Sequence, residues 1–185
     1  MLNSGHNRNL ITIFGQEGVG KTTTISKLVD HIPHSAQIDA ESLGHVNPWV
    51  YDQKFLQLLW KNVIDLTLNF WDFGYNTVIT GSFFDYYSQY RDFRKLLPQD
   101  INVTVIHLCA SKTVRDQRRA QRSKPYNKKE SNWIDENYPE DRDFSEHTDE
   151  LRYVRIDTSE LALDTTISLI MKHLQSGVEP KHASS

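Results

Sequence analysis

The chain has one cysteine, Cys109, in 185 residues, so no disulfide within it can substitute for a packed core. A reducing, cytoplasmic setting is the expectation that follows. No apolar run approaches the roughly 18 residues that suggest a membrane span. The N-terminal MLNSGHNRN also lacks the apolar centre of a secretory signal. Positive charge is not in excess either: 21 Lys and Arg stand against 24 Asp and Glu, a net charge of −3. That balance offers no overall field for nucleic acid or an anionic membrane, and neither is expected as a partner. Internal repeats are absent. What is present, at 38% hydrophobic and 24% charged, is the composition of an ordinary globular domain of a length that buries a sizeable core.

Short β-branched runs alternate with helical patterns along this chain. NLITIF (Asn9 to Phe14), the stretch Ala36 to Asp39, NTVIT (Asn76 to Thr80), NVTVIHLC (Asn102 to Cys109) and Tyr153 to Ile156 read as five buried strands. Helical spacing covers Thr22 to His31, then Trp49 to Trp71 beginning at Pro48 and closed by Gly74, then Asp85 to Leu97, Lys112 to Gln121 and Asp164 to Gln175. This alternation predicts an α/β fold, a parallel sheet covered by helices on both faces in a three-layer α/β/α sandwich. Residues 1–8 and 176–185 read as loose ends around a single domain over 9–175.

One stretch, 123–150, has little apolar periodicity. Residues 112–129 carry eight basic groups against Asp116 alone, and residues 135–150 carry eight acids against Arg142 alone. A long charged excursion in a compact domain reads as a lid or a disordered insertion, its two halves pairing with each other rather than with nucleic acid.

GQEGVGKT satisfies the pattern G-x-x-x-x-G-K-[ST] through Gly15, Gly20, Lys21 and Thr22, and it lies between a predicted strand and a predicted helix. That context gives the pattern its mechanism. Glycines let the backbone curl so that its N–H groups face phosphate oxygens, and the helix behind adds its positive end. The expected nucleotide contacts are Gly15, Gln16, Glu17, Gly18, Val19, Gly20, Lys21, Thr22 and Thr23. Lys21 reaches the outer phosphates, and the Thr22 hydroxyl suits a Mg²⁺ ligand. The cofactors expected are therefore a nucleoside triphosphate, ATP foremost, and Mg²⁺.

Other P-loop classes lack their marks here. No NKxD tetrapeptide reads guanine, no DxxG switch follows a strand, and neither VITGS nor VIHLC ends in the acid of a hydrolysing ATPase. Three further segments, QIDAES, VIHLCASKTVRDQRRAQRS and IDTSELALD, complete a resemblance. The chain resembles the small P-loop kinases, the group holding shikimate kinase, gluconate kinase, adenylylsulfate kinase, chloramphenicol phosphotransferase and zeta-toxin-like proteins. The resemblance spans most of 9–175, and its phosphate loop is the most specific part. It implies a five-stranded P-loop NTPase sheet with a charged lid, and transfer of a phosphoryl group from ATP to the hydroxyl of a small-molecule acceptor. It also implies that Asp39 faces the acceptor, that arginines lead into the lid, and that the strand-five exit, with Thr158, lines an adenine pocket.

On a helix Arg115, Arg118 and Arg122 share a face, with Arg119 beside it, and Arg119 rather than Arg118 is the alternative for the inward position. Lys21, Asp39, Arg118 and Arg122 are the candidate catalytic residues, Asp39 as proton acceptor and the guanidiniums for transition-state charge. Glu41 is the next acid after Asp39. Ser82 and Arg91, with Asp39, are the acceptor candidates. Trp49, Tyr51, Trp60, Phe83, Phe84, Tyr86 and Tyr87 read either as an aromatic wall or, for most of them, as core. The rival readings are a nucleoside or nucleotide kinase and, from another class, a regulatory nucleotide-binding module or slow NTPase. Oligomeric state is not encoded in any of these signals.

Overall fold

A computed structural model describes residues 8–40, 42–81, 83–122, 127–137 and 144–176. The five apolar runs form strands β1 (Asn9–Phe14), β2 (Ser35–Ile38), β3 (Thr77–Gly81), β4 (Asn102–Cys109) and β5 (Arg152–Asp157). They make one parallel sheet in the order β2-β3-β1-β4-β5. Alternate side chains of each strand enter different cores, as the pleat requires. From β1, Leu10 and Phe14 enter one core and Ile11 and Ile13 the other; β4 does the same with Val103 and Val105 against Ile106 and Leu108.

Helices α2 (Gln53–Asp72) and α3 (Tyr87–Arg94) close the first core with Leu56, Trp60, Val63, Tyr90 and Phe93. Helices α1 (Lys21–His31) and α6 (Leu163–Gln175) close the second with Ile25, Leu28, Ile167 and Ile170. The result is a three-layer α/β/α sandwich. With each fully buried large aliphatic or aromatic side chain worth about 1.5–3 kcal/mol relative to exposure, two such cores carry the fold without cross-links.

Helix α3 is shorter at both ends than the Asp85 to Leu97 expected, and two larger departures follow. Helix α2 begins at Gln53 and not after Pro48, because the Asp52 carboxylate accepts a hydrogen bond from Phe55 N at 2.8 Å and supplies the N-cap. The Asn47–Pro48 bond is cis, and residues 48–51 form a loop. The excursion expected as a lid over 123–150 contains helix α5 (Lys128–Asn137), packed on α4 (Lys112–Ala120), and a short 3₁₀ turn at Phe144–His147. Phe144, 1% exposed, packs on Phe14 and Phe84 at ring distances of 4.9 and 5.7 Å, so the end of the excursion is anchored in the core.

In the sheet Ile13 pairs with Gly81 and Phe14 with His107, so β1 and β3 end at nearly one level of the carboxyl edge and β4 runs two residues further, to Cys109. The chain runs outward from β1 to β2, returns to β3, then crosses β1 to β4. Open parallel sheets form their ligand crevice where the strand order changes in this way.

Candidate functional site

The loop between β1 and α1 is shaped by close backbone approach. Gly15 has φ +141°, and a Cβ there would lie 2.0 Å from the Leu108 carbonyl oxygen of β4. Gly18 has φ +92°, and a Cβ there would lie 2.8 Å from the Arg115 carbonyl oxygen of α4. Only glycine lets the loop press against both elements. Helix α1 follows directly, with no side-chain cap and no acid in its first turn. Its leading N–H groups have no intrahelical acceptors, and no acid of its own first turn offsets the helix dipole. Lys21 Nζ donates to the carbonyls of Gly15 and Gln16 at 2.8 and 3.1 Å, which curls its ammonium over the loop.

Beside the loop lies a cavity of about 280 Å³ lined by Gly18, Val19, Gly20, Thr23, Thr24, Arg118, Gln121, Arg122, Thr158, Leu161, Leu163 and Thr166. Arg118 forms one wall and bridges its two sides. Its guanidinium donates to the Thr158 carbonyl at 2.6 Å, to Thr158 Oγ1 at 3.0 Å and to the Val19 carbonyl at 3.3 Å. Thr158 N donates to the Cys109 carbonyl at 2.8 Å, which fixes the β5 exit against the end of β4. A cavity with apolar Leu161 and Leu163 on one side and convergent polar groups on the other suits a flat heterocycle.

The arginines of α4 divide differently from the face expected. Positions four apart differ by about 40° around a helix, so Arg115 joins Arg119 and Arg118 joins Arg122. Arg118 and Arg122 line the cavity. Arg115 and Arg119 are buried at 5% and 1% exposure, and both bind Asp135 of α5, at 2.5 and 2.9 Å. Arg119 also pairs with Asp116, which Lys112 holds at 2.7 Å from the other side. Burial by itself would lower the Arg119 pKa, but its bonds to Asp135 and Asp116 raise it above the usual value. Burial likewise pushes the Asp135 carboxyl up, and the two guanidiniums outweigh it and hold it below the ordinary value. Hydrogen bonds from Lys112 and then Arg119 bring Asp116 down to about 2. Of the acidic stretch, Asp135 thus pairs with Lys112, Arg115 and Arg119 of the basic one.

Glu17 connects this network to the loop. Its carboxylate lies 3.5 Å from Arg122 and 3.7 Å from Arg119, and it accepts from Ser131 of α5 at 3.4 Å.

No family model matches the chain, and no curated protein matches it. Solved structures do. An unliganded sugar kinase of Janibacter sp. HTCC2649 superposes with a TM-score of 0.68 at 15% identity, covering 91% of this chain and 94% of that one. A gluconokinase of Sinorhizobium meliloti 1021 gives 0.62 at 14% identity, with 93% of each chain covered. The APS kinase of Mycobacterium tuberculosis, in complex with AMPPNP and APS, gives 0.60 at 13% identity over 92% of this chain and 99% of that one. The fold is that of the small P-loop kinases.

Within this P-loop kinase fold, Lys21, Thr22, Thr23, Arg118, Arg122 and Thr158 gather around the loop and its cavity. Thr22 is exposed on the first turn of α1. Asp39 follows β2 at the same carboxyl edge, about 10 Å from β1 at the usual strand spacing, and accepts from Ser42 Oγ at 2.5 Å. Arg91 is exposed on α3, and its charge acts on Tyr87 and Glu150. Ser82 and Glu41 lie outside the described residues.

Sequence reasoning missed Asp135 as the shared counter-ion and Glu17 as a link to the arginines. Asp135 is one acid among eight in its stretch, and only the packing of α5 on α4 singles it out; Glu17 stands alone in a glycine loop, and its partners come from elements distant in sequence. Sequence reasoning also missed the joint between α3 and the end of the excursion. There Tyr87 stacks on His147 at 3.7 Å and donates to Glu150 at 2.6 Å. Burial, then that bond, raises the Tyr87 pKa well above the ordinary tyrosine value.

Proposed function

We propose that this chain is an ATP-dependent phosphotransferase acting on the hydroxyl of a small-molecule acceptor. The observation that carries this reading is the phosphate loop, with Lys21 curled over it, joined through Arg118 to a cavity of the size and lining of a nucleobase site. In this reading the base enters the cavity between Arg118 and Leu161, and the phosphates run along the loop toward Lys21. Arg122, held beside the loop by Glu17, faces the charge that develops on the transferring group. Asp39, across the carboxyl edge, accepts the acceptor's hydroxyl proton or orients that hydroxyl.

Mg²⁺ would arrive with the triphosphate. Thr22 offers one exposed hydroxyl oxygen, a hard donor suited to that ion. Among the described residues no group of three His, Cys, Asp or Glu could cage a metal, and neither β3 nor β4 ends in an acid. Phosphate oxygens and water would therefore complete its coordination, and the ion would supply charge neutralisation. Transfer rather than hydrolysis is supported by that same lack of a strand-end acid. Packing of α5 against α4 supports a lid that excludes competing water.

The test is transfer from labelled ATP to a library of hydroxyl compounds. A labelled product that vanishes in Lys21→Ala is the expected result. Tight ATP binding with no acceptor raising turnover above the water rate would replace this reading with a regulatory nucleotide-binding module.

A further inference from the structure

Helix α2 buries one side in the core, and its solvent side carries an order of its own. Lys54, Leu58, Lys61, Asp65, Leu68 and Asp72 recur at steps of four, three, four, three and four. At about 100° per residue they lie within about 80° of one another, opposite buried Leu56, Val63 and Thr67. The four charged members are exposed, Leu58 is 43% exposed, and Leu68 is partly buried against the core. Heptad spacing of this kind keeps two helices in contact along their length.

The stripe is complementary to itself. Its sequence Lys, Leu, Lys, Asp, Leu, Asp, read backwards with every charge reversed, is the same sequence. Laid antiparallel on a copy of itself about the level of Val63, it sets Lys54 against Asp72, Leu58 against Leu68 and Lys61 against Asp65, each pair made twice. A two-fold contact demands this, because the residue that i meets on the second copy must in turn meet i. Lys61 and Asp65 already pair within α2 at 2.8 Å, but at 72% and 54% exposure each keeps an open side for a second ion. Across the axis the two pairs make a square of alternating charge. Asp72, paired with Arg8 at 3.5 Å, is 68% exposed and has the same capacity.

Apolar surface continues beside the stripe. A groove of about 540 Å³ runs between α2 and the residues that end α3, with Trp60, Ile64 and Leu96 as apolar walls and Lys61 and Asp65 of the stripe also lining it. Leu96 is 56% exposed. Over the 20 residues of α2, stripe and groove together make a strip about 30 Å long and about 20 Å wide, two helix diameters, or roughly 600 Å² per copy. Stable interfaces bury about 800 Å² per partner, so a contact of this size belongs to the weaker, micromolar class.

We infer that this face of α2 docks on the same face of a second copy of the chain, antiparallel about a two-fold axis at the level of Val63, the partner helix covering the groove. The contact lies across the sheet from α1 and does not rest on the phosphotransferase reading.

Sedimentation equilibrium of the full chain from about 1 to about 200 µM tests it, and a monomer–dimer equilibrium with a micromolar Kd is expected. Asp65→Lys sets lysine against lysine twice across the axis and should weaken the dimer at least about tenfold; Lys61→Asp alone should do the same with carboxylates. Combining Lys61→Asp with Asp65→Lys exchanges the signs, preserves the pair within α2 and should bring Kd back to within about threefold of the native value. Both positions are exposed, so thermal melts of all three variants should stay close to native. A native chain that is monomeric at about 200 µM overturns the inference and leaves the stripe a solvated face or a seat for another protein. A dimer indifferent to Asp65→Lys, or one that the exchange does not restore, puts the contact elsewhere and overturns it as well.

Discussion

Replacing Asp135 by alanine removes the carboxylate on which two buried guanidiniums converge. Arg115 and Arg119 have side-chain exposures of 6% and 1%, and Asp135 itself 7%. Breaking a buried pair by deleting one partner costs about 3–5 kcal/mol, since a charge remains where water cannot reach it. Here the lower end applies. Arg119 keeps Asp116, and Arg115 keeps the Ala110 carbonyl at 3.2 Å. A loss of about 3 kcal/mol corresponds, for a chain of this length, to a Tm lower by roughly 6–12 °C. Urea unfolding gives the first number and a thermal melt the second. Arg119→Met together with Asp135→Ala completes a cycle, and the double variant should be more stable than additivity predicts by at least about 1 kcal/mol. A loss below about 1 kcal/mol for Asp135→Ala, or strict additivity, would refute the account of this network as a buried ion cluster.

Arg118→Met breaks the bridge between Thr158 and Val19 and should weaken ATP-analogue binding at least about tenfold in a fluorescence titration, a charge-assisted contact being worth about 1.5–3 kcal/mol. Unchanged affinity would detach the cavity from nucleotide binding. Gly15→Ala sets a methyl against the Leu108 carbonyl at a φ that L-residues avoid, so nucleotide binding should be lost even where a melt shows the chain still folded. Asp39→Asn should lower kcat by at least about a hundredfold with the KM for ATP little changed, as removing a general base does. Acid should loosen α5 from α4. Asp135 carries that joint: burial raises its carboxyl, but the bonds from Arg119 and Arg115 outweigh it and hold it below the usual 3.8, so its stabilisation is present above about pH 4 and is lost as pH falls below that. The indole signal of Trp133 on α5 should move over that window, and a transition centred above pH 5 would contradict the assignment.

The sheet was legible because buried parallel strands are short continuous apolar runs, and NLITIF, NTVIT and NVTVIHLC each lie within one residue of the strand observed. The shape of the loop after β1 was legible because Gly15 stands where a Cβ would meet the Leu108 carbonyl, a constraint that sequence writes as glycine. The start of α2 was not, since Pro48 and Asp52 are both good start signals and only the structure shows which N–H is capped. The arginine face failed for a related reason. Spacings of three and four are both neighbours on a helix, and the choice was made by Asp135 on another element. The aromatic residues of the acceptor edge could not be sorted from sequence either. Trp60 and Trp49 differ in which side of a loop–helix boundary they occupy, a tertiary matter that hydropathy does not record.

Glu17 gives the phosphate loop a negative charge of its own, within 3.5 Å of Arg122. Deleting the arginine therefore does two things at once: it withdraws a cation and unmasks an anion where the incoming ligand is itself polyanionic. The defect of Arg122→Ala would then overstate what the guanidinium contributes, and part of it should be restored by adding Glu17→Gln. In genetic terms the two positions form a compensating pair, and neither has an effect that can be assigned without the other.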